Sequence, residues 1–246
     1  MAAFVPARFV DALLFDMDGV VVDSRRAVET AWHSMAARFG RTISAVEMER
    51  HVHGRVGMES VAELLPDLSP VQRRDVHEAL VTSFRSGELV PIAGVLSLLT
   101  RVRSSGIPVA LVTGASNVTA LRVIRTFGLE DVFGAVVTQQ DVHQGKPHPE
   151  PYLQACALLG VEADKTLVFE DALNGVRSAV AAGAHCWGVG STVGLIEAGA
   201  EKQIEDFQAL DCEELLDGRL SIATDSGFRV GHGRSRHGAA PLISRS

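Results

Sequence analysis

With 246 residues, the chain is long enough for one large domain or for a domain with an inserted module, and its 46% hydrophobic and 22% charged residues are typical of a soluble globular protein. A formal net charge of −7 and a pI near 5.7 argue against electrostatic binding to nucleic acids. No apolar run approaches the roughly 20 residues of a membrane-spanning helix, and the opening segment MAAFVPARFV lacks the apolar region of a signal peptide.

Short apolar, β-branched segments predict the strands of an α/β fold. They occur at 10–16, 107–113, 134–138 and 165–170, with a weaker one at 184–190. Helical patterns separate the later segments, at 118–128 and 149–160. This alternation predicts a doubly wound, mostly parallel, Rossmann-like sheet, in which ligands bind outside the carboxyl ends of the strands.

A helical module is predicted between the first two strands, which are separated by far more residues than one crossover helix requires. Amphipathic patterns without strands fill this gap, at 25–40, 44–55, 57–66 and 69–87. We therefore expect an α/β core over 1–21 and 91–225, with a helical domain inserted over 22–90.

The last segment and the cysteines carry no predicted chemistry. Residues 226–246 are rich in Gly, Ser and Arg and show little apolar periodicity, so we expect a flexible tail. The cysteines are far apart and odd in number, which indicates neither a disulfide framework nor a CxxC metal site. We expect reduced thiols and a cytoplasmic protein. The cysteines are Cys156, Cys186 and Cys212.

Acidic side chains follow the first predicted strand. Asp16, at the carboxyl end of that strand, is placed to attack phosphorus as a nucleophile. Asp18 lies two positions on in an extended segment, points to the same side and is placed to protonate a leaving oxygen. Gly19 lets the chain turn away from the sheet. The alternative is an Asp-Gly turn in a hairpin, although the residues that follow form no obvious partner strand.

Polar residues also follow the next three strands. Thr113 and Asn117 delimit a segment that offers hydroxyl, N–H and amide donors to an oxyanion, or alternatively caps a helix. Lys146 precedes two prolines and is placed to screen repulsion between a carboxylate and a phosphate, unless it is a solvated surface lysine. Glu170 and Asp171 end the fourth strand, where buried acids need a cation or donors. Mg²⁺ suits such ligands, and an acidic helix N-cap is the alternative.

Together these strand ends resemble the four ordered motifs of the haloacid dehalogenase superfamily. The matching segments are DMDGVVVDS, VTGAS, GKPHPEPY and VFEDALNG, which begin at residues 16, 112, 145 and 168. Their order and spacing cover nearly the whole chain outside the predicted tail, and the insertion resembles the small helical cap of some members. The resemblance implies hydrolysis of a small phosphorylated metabolite through an aspartyl-phosphate intermediate, with Mg²⁺ as the cofactor.

The resemblance also implies roles for particular residues. Asp16 would be the nucleophile, Asp18 the general acid and then the general base, and Lys146 the stabilising cation. Thr113 would be a phosphate ligand, and Asn117 is a further candidate for a phosphate contact. The implied Mg²⁺ ligands are Asp16, the backbone carbonyl of Asp18, and Asp171, with Glu170 in support.

Particular positions separate the branches of this superfamily. Its dehalogenases generally lack the second aspartate, so Asp18 favours phosphoryl transfer. Its phosphonoacetaldehyde hydrolases use a cap lysine, and residues 22–90 contain none. Its β-phosphoglucomutases carry a cap histidine at the position of Val28, which cannot make that polar contact and therefore favours hydrolysis. The loop and cap segments look most like the sugar-phosphate and glycerol-phosphate phosphatases.

Residues of the predicted cap receive supporting roles. Arg55, with His51 and His53 nearby, is the candidate for a cap contact to the substrate, and a charged residue capping a surface helix is an equal alternative. Asp23 is interpreted as support for a turn or helix start. The alternatives to a phosphatase are a mutase of the β-phosphoglucomutase type and a non-catalytic regulator that binds a phosphate ligand. The oligomeric state stays open.

Overall fold

The computed structural model describes residues 8–52, 57–86, 88–208, 210–214, 220–223 and 230–231. The described residues form two compact units, one comprising Asp23–Val90 and the other the residues before and after it. Within the described part of the chain, no helix is both long and apolar enough to cross a membrane.

The larger unit contains a six-stranded sheet in which all neighbouring strands are parallel. After a short strand β1 (Arg8–Phe9), the sheet strands are β2 (Ala12–Phe15), β3 (Val109–Val112), β4 (Ala135–Val137), β5 (Thr166–Glu170), β6 (His185–Val189) and β7 (Lys202–Ile204). Their order is β4-β3-β2-β5-β6-β7, which places β2 in the middle of the sheet. The prediction of a doubly wound parallel sheet is confirmed, and β7 is a further strand that the apolar pattern did not predict.

The smaller unit, Asp23–Val90, is helical. Its described helices are α1 (Ser24–Arg38), α2 (Ala45–His51), α3 (Gly57–Leu64) and α4 (Pro70–Ser86). An apolar cluster holds them together and includes Trp32 and Val61. The Asp23 side chain accepts a hydrogen bond from the Arg26 N–H at 3.0 Å, so this residue is the N-cap of α1 and its predicted supporting role is confirmed.

Helices flank the sheet of the larger unit: α5 (Val95–Ser104), α6 (Asn117–Phe127), α7 (Glu150–Leu159) and α8 (Leu173–Ala181). All residues of β2, β3 and β5 are buried, as expected for strands covered on both faces. One face packs against α7 and α8 in a cluster that includes Leu14, Val112 and Tyr152. Phe15 on β2 and Phe169 on β5 are paired in register, and their rings stack with centroids 4.9 Å apart. This packing holds the strand ends in defined relative positions.

A second, four-stranded sheet involves both ends of the described chain. Its strands are β1, β8 (Asp211–Glu214), β9 (Leu220–Ala223) and β10 (Val230–Gly231), in the order β1-β10-β9-β8. The predicted tail over 226–246 is wrong for Val230 and Gly231, which pair with β1 and β9. The rest of that segment lies outside the described residues. The strands β1 and β10 have only two residues each and β8 has the sequence DCEE, so none of them shows an apolar run, which explains why the sequence did not predict them.

Candidate active site

Polar side chains follow the carboxyl ends of neighbouring strands of the six-stranded sheet. Asp16 follows β2, Thr113 follows β3, and Glu170 ends β5. Backbone hydrogen bonds continue past the strands, because the Asp16 N–H donates to the Phe169 carbonyl at 3.0 Å and the Thr113 N–H donates to the Val137 carbonyl at 2.8 Å. These predicted site residues therefore share one edge of the sheet, where parallel α/β folds bind ligands.

The Lys146 ammonium joins two of these strand ends. Its Nζ donates to Asp16 Oδ1 at 2.5 Å, to Glu170 Oε1 at 2.5 Å and to the Val112 carbonyl at 3.1 Å. The lysine side chain is only 14% exposed. The alternative of a solvated surface lysine is therefore wrong, and Lys146 is a partly buried partner of two carboxylates.

Hydrogen bonds to its backbone hold the loop that carries Lys146. The Glu150 carboxylate, in the first turn of α7, accepts from the His143 N–H at 2.7 Å and from the N–H of the following residue at 3.0 Å. The Ser178 hydroxyl on α8 donates to the His148 carbonyl at 2.6 Å. The loop is thus anchored to α7 and α8 on both sides of the lysine.

Both oxygens of the Glu170 carboxylate are hydrogen-bonded within the protein. Oε1 accepts from Lys146 Nζ and from the Tyr152 hydroxyl, the latter at 2.6 Å. Oε2 accepts from the Asp171 N–H at 3.1 Å and from the N–H of the next residue at 3.4 Å. A Cβ on Gly175 in α8 would overlap this carboxylate, so the close packing there requires glycine.

Three carboxylates converge at the edge of the sheet. Asp16, Glu170 and Asp171 offer oxygens that all lie within 4.8 Å of one another. Gly19, with a φ of 74°, lets the turn after β2 lie against Asp171, because a Cβ there would overlap that carboxylate. The N-cap of α8 is Ala172, which makes no side-chain hydrogen bond, so the alternative of an acidic N-cap is wrong. Carboxylate oxygens in such a cluster are the ligands that hard divalent cations prefer.

The pKa values of this cluster reflect burial and the charges of neighbouring groups. Burial raises the pKa of Asp16 well above its usual range, against the opposing charge of Lys146. Burial and the charges of Glu170 and Asp18 raise the pKa of Asp171 to about 7. For Lys146, burial lowers the pKa, but the charges of Asp16 and Glu170 outweigh burial and raise it, so the amine stays protonated. A divalent cation bound here would add its positive charge to that of the Lys146 ammonium and favour the ionised carboxylates.

The segment after β3 is organised by its own side chains and by the loop after β4. Thr113 is buried, and its Oγ1 accepts from the Ala115 N–H at 3.0 Å, which leaves the hydroxyl hydrogen to donate. Ser116 is the N-cap of α6, so the helix-cap alternative holds for this residue. Asn117 has an exposed side chain, and its N–H donates to Gln140 Oε1 at 3.1 Å. Thr113 is therefore the buried polar side chain that this segment brings to the edge of the sheet.

The candidate substrate contacts belong to the smaller unit. Arg55 and His53 lie outside the described residues. His51 pairs with Glu63 within the unit. Val28, the residue predicted to stand in place of the β-phosphoglucomutase histidine, packs against the apolar cluster of the helices.

Sequence reasoning missed residues that support the site. Tyr152 contacts Glu170, Gln140 holds the N–H at the start of α6, and Gly175 makes room for the Glu170 carboxylate. Tyr152 is the only tyrosine in the chain and is the last residue of the lysine motif GKPHPEPY, but an aromatic residue in an apolar helix is also an ordinary core residue. The sequence carried no signal that separates these roles.

The parallel sheet, with acids at its strand ends and a partly buried lysine between them, defines a hydrolase of the haloacid dehalogenase type. The family model for haloacid dehalogenase-like hydrolases matches residues 10–183. The chain belongs to this family, as its four motifs predicted. Hydrolases of the family generally use a divalent metal, and the acidic cluster of this chain has suitable ligands.

Curated relatives and a solved structure agree with this family. The chain is 34% identical over 176 residues to "Hexitol phosphatase A" of Escherichia coli, covering 70% of this chain and 79% of the relative. It is 32% identical over 212 residues to "Phosphorylated carbohydrates phosphatase" of Thermotoga maritima, covering 82% and 97%. A HAD family hydrolase of Deinococcus radiodurans R1, solved with bound phosphate and sodium, superposes with a TM-score of 0.71 at 27% identity, covering 81% of this chain and 92% of the other.

Proposed function

We propose that this chain is a Mg²⁺-dependent phosphatase that hydrolyses small sugar or polyol phosphates through an aspartyl-phosphate on Asp16. The observation that carries the proposal is the Lys146 ammonium held between Asp16 and Glu170 at the carboxyl edge of the sheet. A nucleophilic carboxylate and an anionic phosphate repel each other, and a fixed cation beside the carboxylate reduces that repulsion.

The reaction has two stages in which Asp16 and Asp18 act in turn. An oxygen of Asp16 attacks phosphorus in line, the bond from phosphorus to the ester oxygen breaks, and Asp18 gives its proton to the leaving alcohol. Asp18 then takes a proton from water, which attacks the phosphorus of the aspartyl-phosphate and regenerates the Asp16 carboxylate. Asp16 is buried, whereas Asp18 is half-buried, which suits a nucleophile and a group that exchanges protons with water, respectively.

Charge on the phosphoryl oxygens is balanced by the chain's own donors. Lys146 supplies a positive charge, and the Thr113 hydroxyl donates a hydrogen bond. Asn117 remains a candidate phosphate contact through its exposed side chain, since its N–H already donates to Gln140. The Lys146 loop is anchored to two helices, so its cation is positioned before the substrate binds.

Mg²⁺ is the proposed metal, held by Asp16, by the backbone carbonyl of Asp18 and by Asp171. Glu170 has a supporting role, because both of its oxygens already accept hydrogen bonds from the protein. The raised pKa of Asp171 fits a site that holds a cation, since its ionised form needs a positive partner. When bound, Mg²⁺ would neutralise charge on the phosphoryl group and help to orient it.

The substrate class is supported by the names of the relatives, a hexitol phosphatase and a phosphatase of phosphorylated carbohydrates. Arg55 is the proposed cap contact to the substrate. The net charge of −7 gives no support for a nucleic acid partner. We also propose a cytoplasmic location, which the free thiols of Cys156 and Cys186 support.

Val28 favours hydrolysis over the alternative mutase reaction. Its side chain packs against the apolar cluster of the smaller unit and cannot make the polar contact of the mutase histidine. The non-catalytic regulator is disfavoured because the described site keeps the acids and lysine that the reaction needs.

The test is incubation of the purified chain with Mg²⁺ and a panel of sugar and polyol phosphates, including a hexose 1-phosphate. We expect inorganic phosphate to be released, no isomer to form, and a chelator to stop turnover. Formation of the isomer without free phosphate would establish the mutase instead. Binding without turnover across the panel would favour the regulator.

A further inference from the structure

We propose that Tyr152 is a positioning residue of the active site, whose hydroxyl orients Glu170 and whose ring supports Lys146. The inference rests on the proposed phosphatase function and gives a role to Tyr152, the last residue of the segment GKPHPEPY, which has none of the roles that the resemblance implies. Tyr152 does not have to touch the substrate. It would act through Lys146, the cation beside the proposed nucleophile.

Two contacts of Tyr152 converge on the same ion pair. Its hydroxyl lies 2.6 Å from Glu170 Oε1, the oxygen that also accepts from Lys146 Nζ. The Nζ atom of Lys146 lies 5.0 Å from the centroid of the tyrosine ring, within the range of a cation–π interaction. Tyr152 therefore contacts both members of the Lys146–Glu170 pair, with the hydroxyl on one and the ring face on the other.

The direction of the hydroxyl contact follows from the chemistry of Glu170. An ionised carboxylate only accepts, so the phenol must donate its hydrogen to Oε1. With its other oxygen held by the N–H groups at the end of β5, the carboxylate has little freedom to rotate. A carboxylate fixed in this way presents Oε1 at one point, and the ammonium is held at a defined distance from Asp16.

The position of Tyr152 in the fold makes it a rigid support. It lies in the first turn of α7, six positions after Lys146, and its side chain is fully buried. The helix packs against β3 and β4. The same anchored segment thus carries both the cation and the aromatic side chain that supports it.

An ordinary core aromatic would fill space without affecting the ion pair. Removing only the hydroxyl separates the two roles, because Tyr152→Phe keeps the ring and its packing. Tyr152→Leu removes the ring as well. Thr166→Val is a matched control: Thr166 is a fully buried hydroxyl at the opposite end of the β5 strand that bears Glu170, and it donates to the Ala163 carbonyl at 2.8 Å.

The experiment measures kcat, KM and thermal unfolding for the wild-type chain and these variants, with Mg²⁺ and the best sugar phosphate from the panel. We expect Tyr152→Phe to lower kcat by about 10- to 100-fold, the usual range for partners of active-site ligands. We expect KM to change much less, because a displaced cation mainly affects the charge developed in the transition state. Tyr152→Leu should lower kcat further, and Thr166→Val should leave it near the wild-type value.

A kcat of Tyr152→Phe within a factor of about two of the wild type would overturn the inference. Equal losses in kcat and in thermal stability for Tyr152→Phe and Thr166→Val would also overturn it, because the hydroxyl would then have only a structural role. Failure of the proposed function is a separate result, since the wild-type chain itself would then release no phosphate.

Discussion

The Nζ of Lys146 and the Oδ1 of Asp16 lie 2.5 Å apart, although 130 positions separate these residues in the chain. An ammonium at this distance favours the ionised form of the carboxylate against the effect of burial. The ionised form is the one that attacks phosphorus. The contact therefore links a strand end and a distant loop into one proposed reacting unit.

Asp16→Asn should abolish turnover, by at least about a thousandfold, because an amide oxygen is a poor nucleophile and the aspartyl-phosphate cannot form. The variant is close in size to the wild type, so we expect the fold to be kept. Phosphate release and circular dichroism check both points. Asp11→Asn, just before the same strand, is the control and should retain activity. Near-normal activity of Asp16→Asn would show that another group is the nucleophile.

Asp18→Ala should lower kcat for a sugar phosphate by about 10²- to 10⁴-fold, the usual contribution of a general acid or base. The loss in the first stage should be smaller for p-nitrophenyl phosphate, whose leaving group needs no proton. Because the second stage still lacks its base, the phosphorylated protein should accumulate. Intact-protein mass spectrometry detects the added phosphoryl group. An equal loss with both substrates and no phosphorylated protein would contradict the role.

Lys146→Met should lower kcat by about 10²- to 10³-fold, since the side chain keeps its length and loses its charge. It would also leave Asp16 and Glu170 without their shared ammonium. Steady-state kinetics measures the effect. Lys165→Met, an exposed lysine in the Ala163–Lys165 turn, is the matched control and should behave like the wild type. Similar kinetics for the two variants would remove Lys146 from the mechanism.

Gly175→Ala should destabilise the fold by about 1–3 kcal/mol, because its methyl group would overlap the Glu170 carboxylate. A destabilised fold would indicate this overlap, since alanine in place of glycine within a helix normally stabilises the protein. Urea unfolding measures the change. In a Glu170→Ala background the same substitution should be neutral or stabilising. A stabilised single variant would mean that the carboxylate moves away at little cost.

Glu47→Gln should alter the pH dependence of stability in the smaller unit. The Ser44 backbone N–H and hydroxyl donate to the Glu47 carboxylate at 2.9 and 2.7 Å. These hydrogen bonds, the one from the backbone most strongly, lower the pKa of Glu47 from 4.5 to about 2. A lowered pKa contributes stability that is present above the unfolded value of about 4.5 and is lost as the pH falls towards 2.

Chemical unfolding between about pH 3 and pH 6 checks this expectation. The wild type should have a higher free energy of unfolding than Glu47→Gln near pH 6, and this difference should shrink as the pH falls. Glu78→Gln, an exposed position on α4, serves as the control. An advantage that stays constant with pH would contradict a role for the charged form of Glu47 in the cap of α2.

Much of the fold could be predicted because the relevant signals are local. Runs such as the one ending at Phe15 show the continuous apolar pattern of a buried strand, and the amphipathic helices show the helical period. The carboxyl ends of parallel strands meet at one edge of a sheet, so the proximity of Asp16, Thr113 and Glu170 followed from the predicted topology. The strand Val230–Gly231 was missed because two residues show no period and its pairing partner lies at the other end of the chain.

By itself, the sequence determined the alternation of strands and helices in the core, the family and the residue types at each strand end, since periodicity and motif spacing are properties of neighbouring residues. Only the tertiary structure decided which oxygen of Glu170 meets Lys146, that Tyr152 donates to that same oxygen, and that Gly175 leaves room for it. These contacts join separate elements of the fold. Their geometry depends on how helices pack against the sheet, and no local pattern in the chain encodes the distances.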